Sequence, residues 1–115
     1  MPCPMSPDSM SETKLERVGA FHFQLHGEMT FTHARSLLLQ SETLFANLPD
    51  VEIDLMRVEK ADSAGLALML EWLARAAERD ARVIFTEVPE TIHSVARLCQ
   101  IESLLTGHIA ESSNR

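Results

Sequence analysis

The stretch from Val51 to Val88 changes its hydrophobic period twice, and that narrows the fold. Val51, Ile53 and Leu55 alternate with Glu52, Asp54 and Met56, the period of two of a half-buried strand. "KADSAGLALMLEWLARAAERD", Lys60 to Asp80, reads as a long helix, and "RVIFTEV", Arg82 to Val88, as another strand. Two strands joined through a helix need a crossover, which lays them parallel. Upstream, Phe21, Phe23 and Leu25 alternate with His22, Gln24 and His26, and a shorter strand near Leu15 to Val18 turns back into them at Gly19-Ala20. Gly27 ends that pattern and Thr32 is a candidate helix cap. Leu37, Leu38, Ser41, Leu44, Phe45 and Leu48 recur at helical spacing to about Asn47, before a break at Pro49-Asp50. Pro89 suits a first helical position, and Ile92, Val95, Ala96 and Cys99 form the stripe of a last helix. The expected order is β-β-α-β-α-β-α. This is an α/β fold, a mixed sheet of about four strands packed with helices, its first strand antiparallel.

The 115 residues hold one core and not two. The domain is expected over residues 12–106, after a disordered tail, 1–11, rich in Pro, Ser and Met, and before a frayed tail, 107–115. A formal charge of −7 gives no general attraction for nucleic acid or anionic lipid. No run approaches the roughly 20 apolar residues of a membrane span, so direct membrane insertion is not expected. "MPCPMSPDSM" has three prolines and no basic apolar leader, unlike a secretory signal. Cys3 and Cys99 are the only cysteines, which argues against a disulfide framework and for a cytoplasmic protein.

The triplet Asp62-Ser63-Ala64, followed by Gly65, opens the long helix and invites three readings. A nucleophilic Ser63 would need a base and an oxyanion hole. The G-x-S-x-G elbow is absent, because position 61 is Ala, and no histidine sits in a context that marks it as a base. A helix cap explains Asp62 or Ser63 but not a glycine in the first turn, where Gly65 leaves room for a close approach. A switch is compatible with a cap: a helix N-terminus holds a phosphate, and phosphate on Ser63 would add nearly two negative charges to a contact surface. His22 and His26 lie on one face of a strand at wide spacing, a solvated face and not a metal site. No H-E-x-x-H, C-x-x-C, Walker A or G-x-G-x-x-G sequence is present, so no metal or cofactor is expected.

"VEIDLMRVEKADSAGLALMLEWL" strongly resembles the signature of the STAS domain, named after sulfate transporters and anti-sigma factor antagonists. Ile53-Asp54-Leu55, Asp62-Ser63 and Gly65-Leu66 carry the match, and "LHGEMTFTHA", Leu25 to Ala34, looks like the family's turn into its first helix. The likeness runs from about Lys14 to Leu105. It implies a non-enzymatic domain that works by docking. In anti-sigma factor antagonists the serine matching Ser63 is phosphorylated by a partner kinase. In the small STAS subunit of the Mla phospholipid transporter the domain docks on a cytoplasmic ABC ATPase. "A-G-L-A-L" after Ser63 and the last helix look more like this second branch, and Ala64 departs from the D-S-S-G frequent in antagonists. The resemblance thus implies an ABC transporter ATPase subunit as partner, at the inner face of the inner membrane. The alternative is an anti-sigma factor kinase acting on Ser63.

A helical wheel adds a surface reading. Leu66, Met69, Leu70, Leu73 and Ala77 share the expected core face. Glu71, Arg75, Glu78 and Arg79 lie opposite, with Leu68 and Trp72 among them. An exposed Leu68 beside the only Trp, flanked by Arg75 and Arg79, has the makeup of an interface anchor. The other reading makes Trp72 extra core at the edge of the fold. The expected docking surface is Asp62, Ser63, Ala64, Gly65, Leu68, Trp72 and Arg75 on the helix, with Thr30 and Thr32 in the adjoining Gly27–Thr32 loop.

Overall fold

The computed structural model describes residues 13–105 and 107–110. The expected tail 1–11, Cys3 and the last five residues of the chain lie outside them. The elements in chain order are β1 (Lys14–Arg17), β2 (His22–Met29), α1 (Phe31–Leu44), β3 (Asp50–Asp54), β4 (Val58–Ala61), α2 (Ser63–Glu78), β5 (Arg82–Thr86), α3 (Glu90–Leu98), α4 (Glu102–Leu105) and β6 (Ile109–Ala110).

The sheet is mixed, as its sequence periods require. It runs β1-β2-β3-β5-β6, with β1 antiparallel to β2 and the remaining pairs parallel. Phe23, Ile53 and Phe85 stand in one row across β2, β3 and β5, each at most 1% exposed. Burying each such side chain contributes roughly 1.5–3 kcal/mol, so this row and its neighbours Leu25, Val51 and Val83 form the centre of the core. The alternate residues Gln24, Glu52, Asp54, Ile84 and Thr86 are only half-buried. One face of the sheet is packed under helices, and the other is polar apart from Ile84.

Two strands go beyond the four expected. β4 pairs with β2 through Gly27↔Val58, Glu28↔Lys60 and Met29↔Ala61, with a bulge between Gly27 and Glu28. Gly27 therefore does not end β2. It sits at φ +100° where β2 changes partner from β3 to β4, and a Cβ there would come within 2.5 Å of Thr13 Oγ1. β6 pairs with Phe85 and Thr86, so the sheet continues past residue 106. α1 begins earlier than expected, with Thr30 at its N-cap and Thr32 already in its first turn, and it ends at Leu44. Cys99 is exposed as the C-cap of α3, while Ile92 and Ala96 carry that helix's buried stripe.

The core face of α2 is turned relative to the wheel. Leu68 and Trp72 are 4% and 2% exposed, whereas Ala77 faces solvent. The cause is α1, which packs along the flank that the wheel assigned to water. Trp72 lies 5.8 Å from the ring of Phe45 and 6.2 Å from that of Phe85, and its Nε1–H donates to Ser41 Oγ at 2.8 Å. Leu68 and Trp72 are thus seam residues between α1, α2 and the sheet, not surface anchors.

Candidate functional site at the paired helix starts

Parallel strands bring helix N-termini to one edge of the sheet. Here β2 delivers the start of α1 and β4 delivers the start of α2, and the two meet. Asp62 is the N-cap of α2: its Oδ1 accepts from Ala64 N–H at 2.8 Å. Its Oδ2 accepts from Phe31 N–H at 3.3 Å, and its own N–H donates to Met29 O at 3.2 Å. The cap belongs to Asp62, which leaves Ser63 exposed as the first helical residue.

Gly65 answers its sequence question from inside the fold. A Cβ at that position would lie 2.6 Å from Met29 O and 2.9 Å from Met29 Cβ. The close approach is that of α2 to the end of β2. Thr30 is 6% exposed, and its Oγ1 donates to Glu28 Oε1 at 3.4 Å without capping α1. Thr32 is exposed and Ala64 half-buried. Asp62, Ser63, Ala64, Gly65, Thr30 and Thr32 therefore gather around one corner, whereas Arg75 lies three turns away along α2.

Sequence reasoning passed over Phe31. It is 84% exposed, at the first position of α1, with its N–H on Asp62. It continues the odd-numbered phase of Phe23, Leu25 and Met29 and lies seven residues before Leu38, so both periods would bury it and the sequence pattern carried no signal of its exposure.

Arg75 is occupied within the fold. It donates to Glu71 Oε2 and to Glu42 Oε2, each at 2.9 Å. The hydrogen bond to Glu71, then that to Glu42, raises its pKa above the ordinary arginine value. Arg79 donates to Phe45 O and Leu48 O at 3.2 and 3.3 Å, tying down the C-terminal end of α1. These arginines border a cleft of about 370 Å³ between the C-terminal halves of α1 and α2. Its cations already hold carboxylates and carbonyls, so it offers an anion little.

Among the described residues, no histidine is hydrogen-bonded to Ser63. Four of the histidines have partners of their own: His22 with Glu52 at 3.4 Å, His26 with Glu16 at 3.0 Å, His33 with Glu28 at 3.7 Å, and His108 Nδ1 with Val83 O at 3.2 Å. Among the described residues, no group of three or more His, Cys, Asp or Glu could hold a metal ion, and no helix is long and apolar enough to cross a membrane. The corner offers an aromatic side chain, a serine hydroxyl and small residues, a makeup suited to contact.

Comparison with known proteins agrees with this architecture. The family model described as "Mlab, STAS domain" matches residues 16–106. A search of curated proteins gives no match. Among solved structures, the chain is similar to the anti-sigma factor antagonist SpoIIAA in its unphosphorylated form, with a TM-score of 0.62 and 15% identity over 88% of this chain and 89% of that one. It is also similar to a sulfate transporter family protein from Wolinella succinogenes, with a TM-score of 0.59 and 17% identity over 91% of this chain and 86% of that one. At these identities the two structures speak for the fold.

Proposed function

The chain belongs to the MlaB-type STAS domain family, and we propose that it is a non-enzymatic accessory subunit that docks on the cytoplasmic ATPase of a phospholipid (Mla-type) ABC transporter. The observation that carries this reading is the corner where Phe31 stands 84% exposed beside the exposed Ser63, on a framework of shared caps. An exposed aromatic is a frequent anchor at protein interfaces, and here small residues stand beside it. Domains of this family are generally non-catalytic, and among the described residues no hydrogen bond joins Ser63 to a histidine. Docking would hold the ATPase in a competent arrangement and shift its conformational populations. The protein would reach the inner face of the inner membrane through its partner.

The test is co-purification with the ATPase and its permease. Wild-type protein should bring both down, and Phe31→Ala should lose them while remaining folded. Retention of both by Phe31→Ala would remove this surface from the reading.

A second reading has its own observation. Ser63 is accessible at the first position of α2, as a phosphoacceptor must be. As an anti-sigma factor antagonist, the protein would be bound by a kinase and carry phosphate on Ser63 in cells. Mass spectrometry of protein from the source cells separates the two: a phosphorylated fraction with a kinase partner favours the switch, and unmodified Ser63 with an ATPase partner favours the transporter.

A further inference from the structure

We infer that the Asp62 carboxylate is a positioning joint that caps two helices at once and carries a change at Ser63 to Phe31. α1 lacks a side-chain cap of its own, because the Thr30 hydroxyl turns to Glu28. The role falls to Asp62 on another element. Its N–H holds Met29 O at 3.2 Å and its Oδ2 holds Phe31 N–H at 3.3 Å, so both neighbours of Thr30 in the chain are fixed by one residue. Its Oδ1 meanwhile holds Ala64 N–H at 2.8 Å.

Carboxylate chemistry makes this possible. Both oxygens accept, whereas one end of an asparagine amide can only donate. The two arms differ in strength. The 2.8 Å bond within α2 is well formed, and the 3.3 Å bond to α1 is stretched and yields first. Ser63 is next to Asp62 in the chain and opens α2. Negative charge on Ser63 repels the adjacent carboxylate and competes for the N–H groups of the first turn of α2, where Asp62 holds Ala64 N–H by Oδ1 and Gly65 N–H by its carbonyl. The stretched arm releases, the first turn of α1 frays, and Phe31 loses its fixed presentation. This rests on the docking reading for its meaning, but its test needs no partner, so the two can fail separately.

The experiment is amide hydrogen exchange on the full chain, resolved at Phe31 and Ala64. Asp62→Asn keeps a competent N-cap for α2, so Ala64 exchange should stay near wild type. Phe31 exchange should rise about fivefold or more, on the order of what losing a hydrogen bond to a charged group allows. Asp62→Ser, which retains a capping hydroxyl too short to reach Phe31, should behave the same way and serves if Asp62→Asn folds poorly. Ser63→Asp in the wild-type background should speed Phe31 exchange severalfold, and in either Asp62 variant it should add nothing at Phe31. Unchanged Phe31 exchange in the Asp62 variants would overturn the joint. So would a Ser63→Asp response at Phe31 that persists without the carboxylate. Loss of ATPase binding is read separately, through Phe31→Ala.

Discussion

At the scale of single residues, Phe31 and Gly65 lie at one corner and should behave in opposite ways. Phe31 is 84% exposed, so Phe31→Ala removes almost no packing and should leave stability within about 0.5 kcal/mol. If its ring enters a socket on the ATPase, the same change should weaken binding by about 2 kcal/mol or more, roughly thirtyfold. A thermal melt beside a binding isotherm checks both halves. Gly65→Ala gains helix propensity of about 1 kcal/mol. It also drives a Cβ to 2.6 Å from Met29 O, a backbone atom fixed by β2. Overpacking of that kind costs about 1–3 kcal/mol, and because the obstacle is main chain, the steric cost should win. A denaturant midpoint at or above that of wild type would show that the corner can open without penalty.

At the scale of elements, the seam between α1 and α2 decides what Trp72 is for. Trp72→Ala should destabilise the fold by about 3–5 kcal/mol, since it removes a ring packed on Phe45 and Phe85 and leaves Ser41 without its donor. ATPase binding should then fall only as the folded fraction falls, which denaturation followed by Trp-independent circular dichroism alongside binding can test. The same seam marks where the sequence was legible. β2, β3 and β5 could be read because each has one buried and one solvated face, a clean period of two. β4 could not, because its four residues are all exposed or half-buried and show no alternation, and β6 has only two residues. The wheel of α2 placed Leu66 and Met69 in the core as the structure does, but it could not see α1 arriving on the flank, so Leu68 and Trp72 were assigned to water. The alanines were no help, since Ala67 and Ala74 are exposed and Ala76 is buried. At the candidate site, a cap at Asp62 or Ser63 was legible from residue type, and the structure gives it to Asp62. Its second bond, to Phe31, joins residues 31 apart in the chain and left no local trace.

At the scale of the whole molecule, the fold offers a partner two unlike surfaces. The open sheet face carries His22, Gln24, Glu52, Asp54 and Thr86 around a half-buried Ile84, tied together by Gln24 Nε2–H to Asp54 Oδ2 at 3.2 Å and by His22 with Glu52. The helical side carries Phe31, Ser63 and, one turn further along α2, the exposed Ala67. An interface core favours apolar and small residues and is depleted of Glu and Asp, which points a partner to the helical side. Two substitutions that each place a long basic side chain on one of these surfaces can test that orientation. Ala67→Arg puts a long charged side chain one helical turn from Ser63, at an exposed position of α2. It should leave the melt within a few degrees and reduce ATPase binding at least about tenfold, by obstructing a packed contact. Glu52→Lys reverses a charge on the sheet face and removes only a solvent-exposed pair with His22, worth about 0–1 kcal/mol. It should leave both the melt and the binding near wild type. The opposite pattern, with binding lost to Glu52→Lys and kept by Ala67→Arg, would turn the molecule over and make the sheet the docking face.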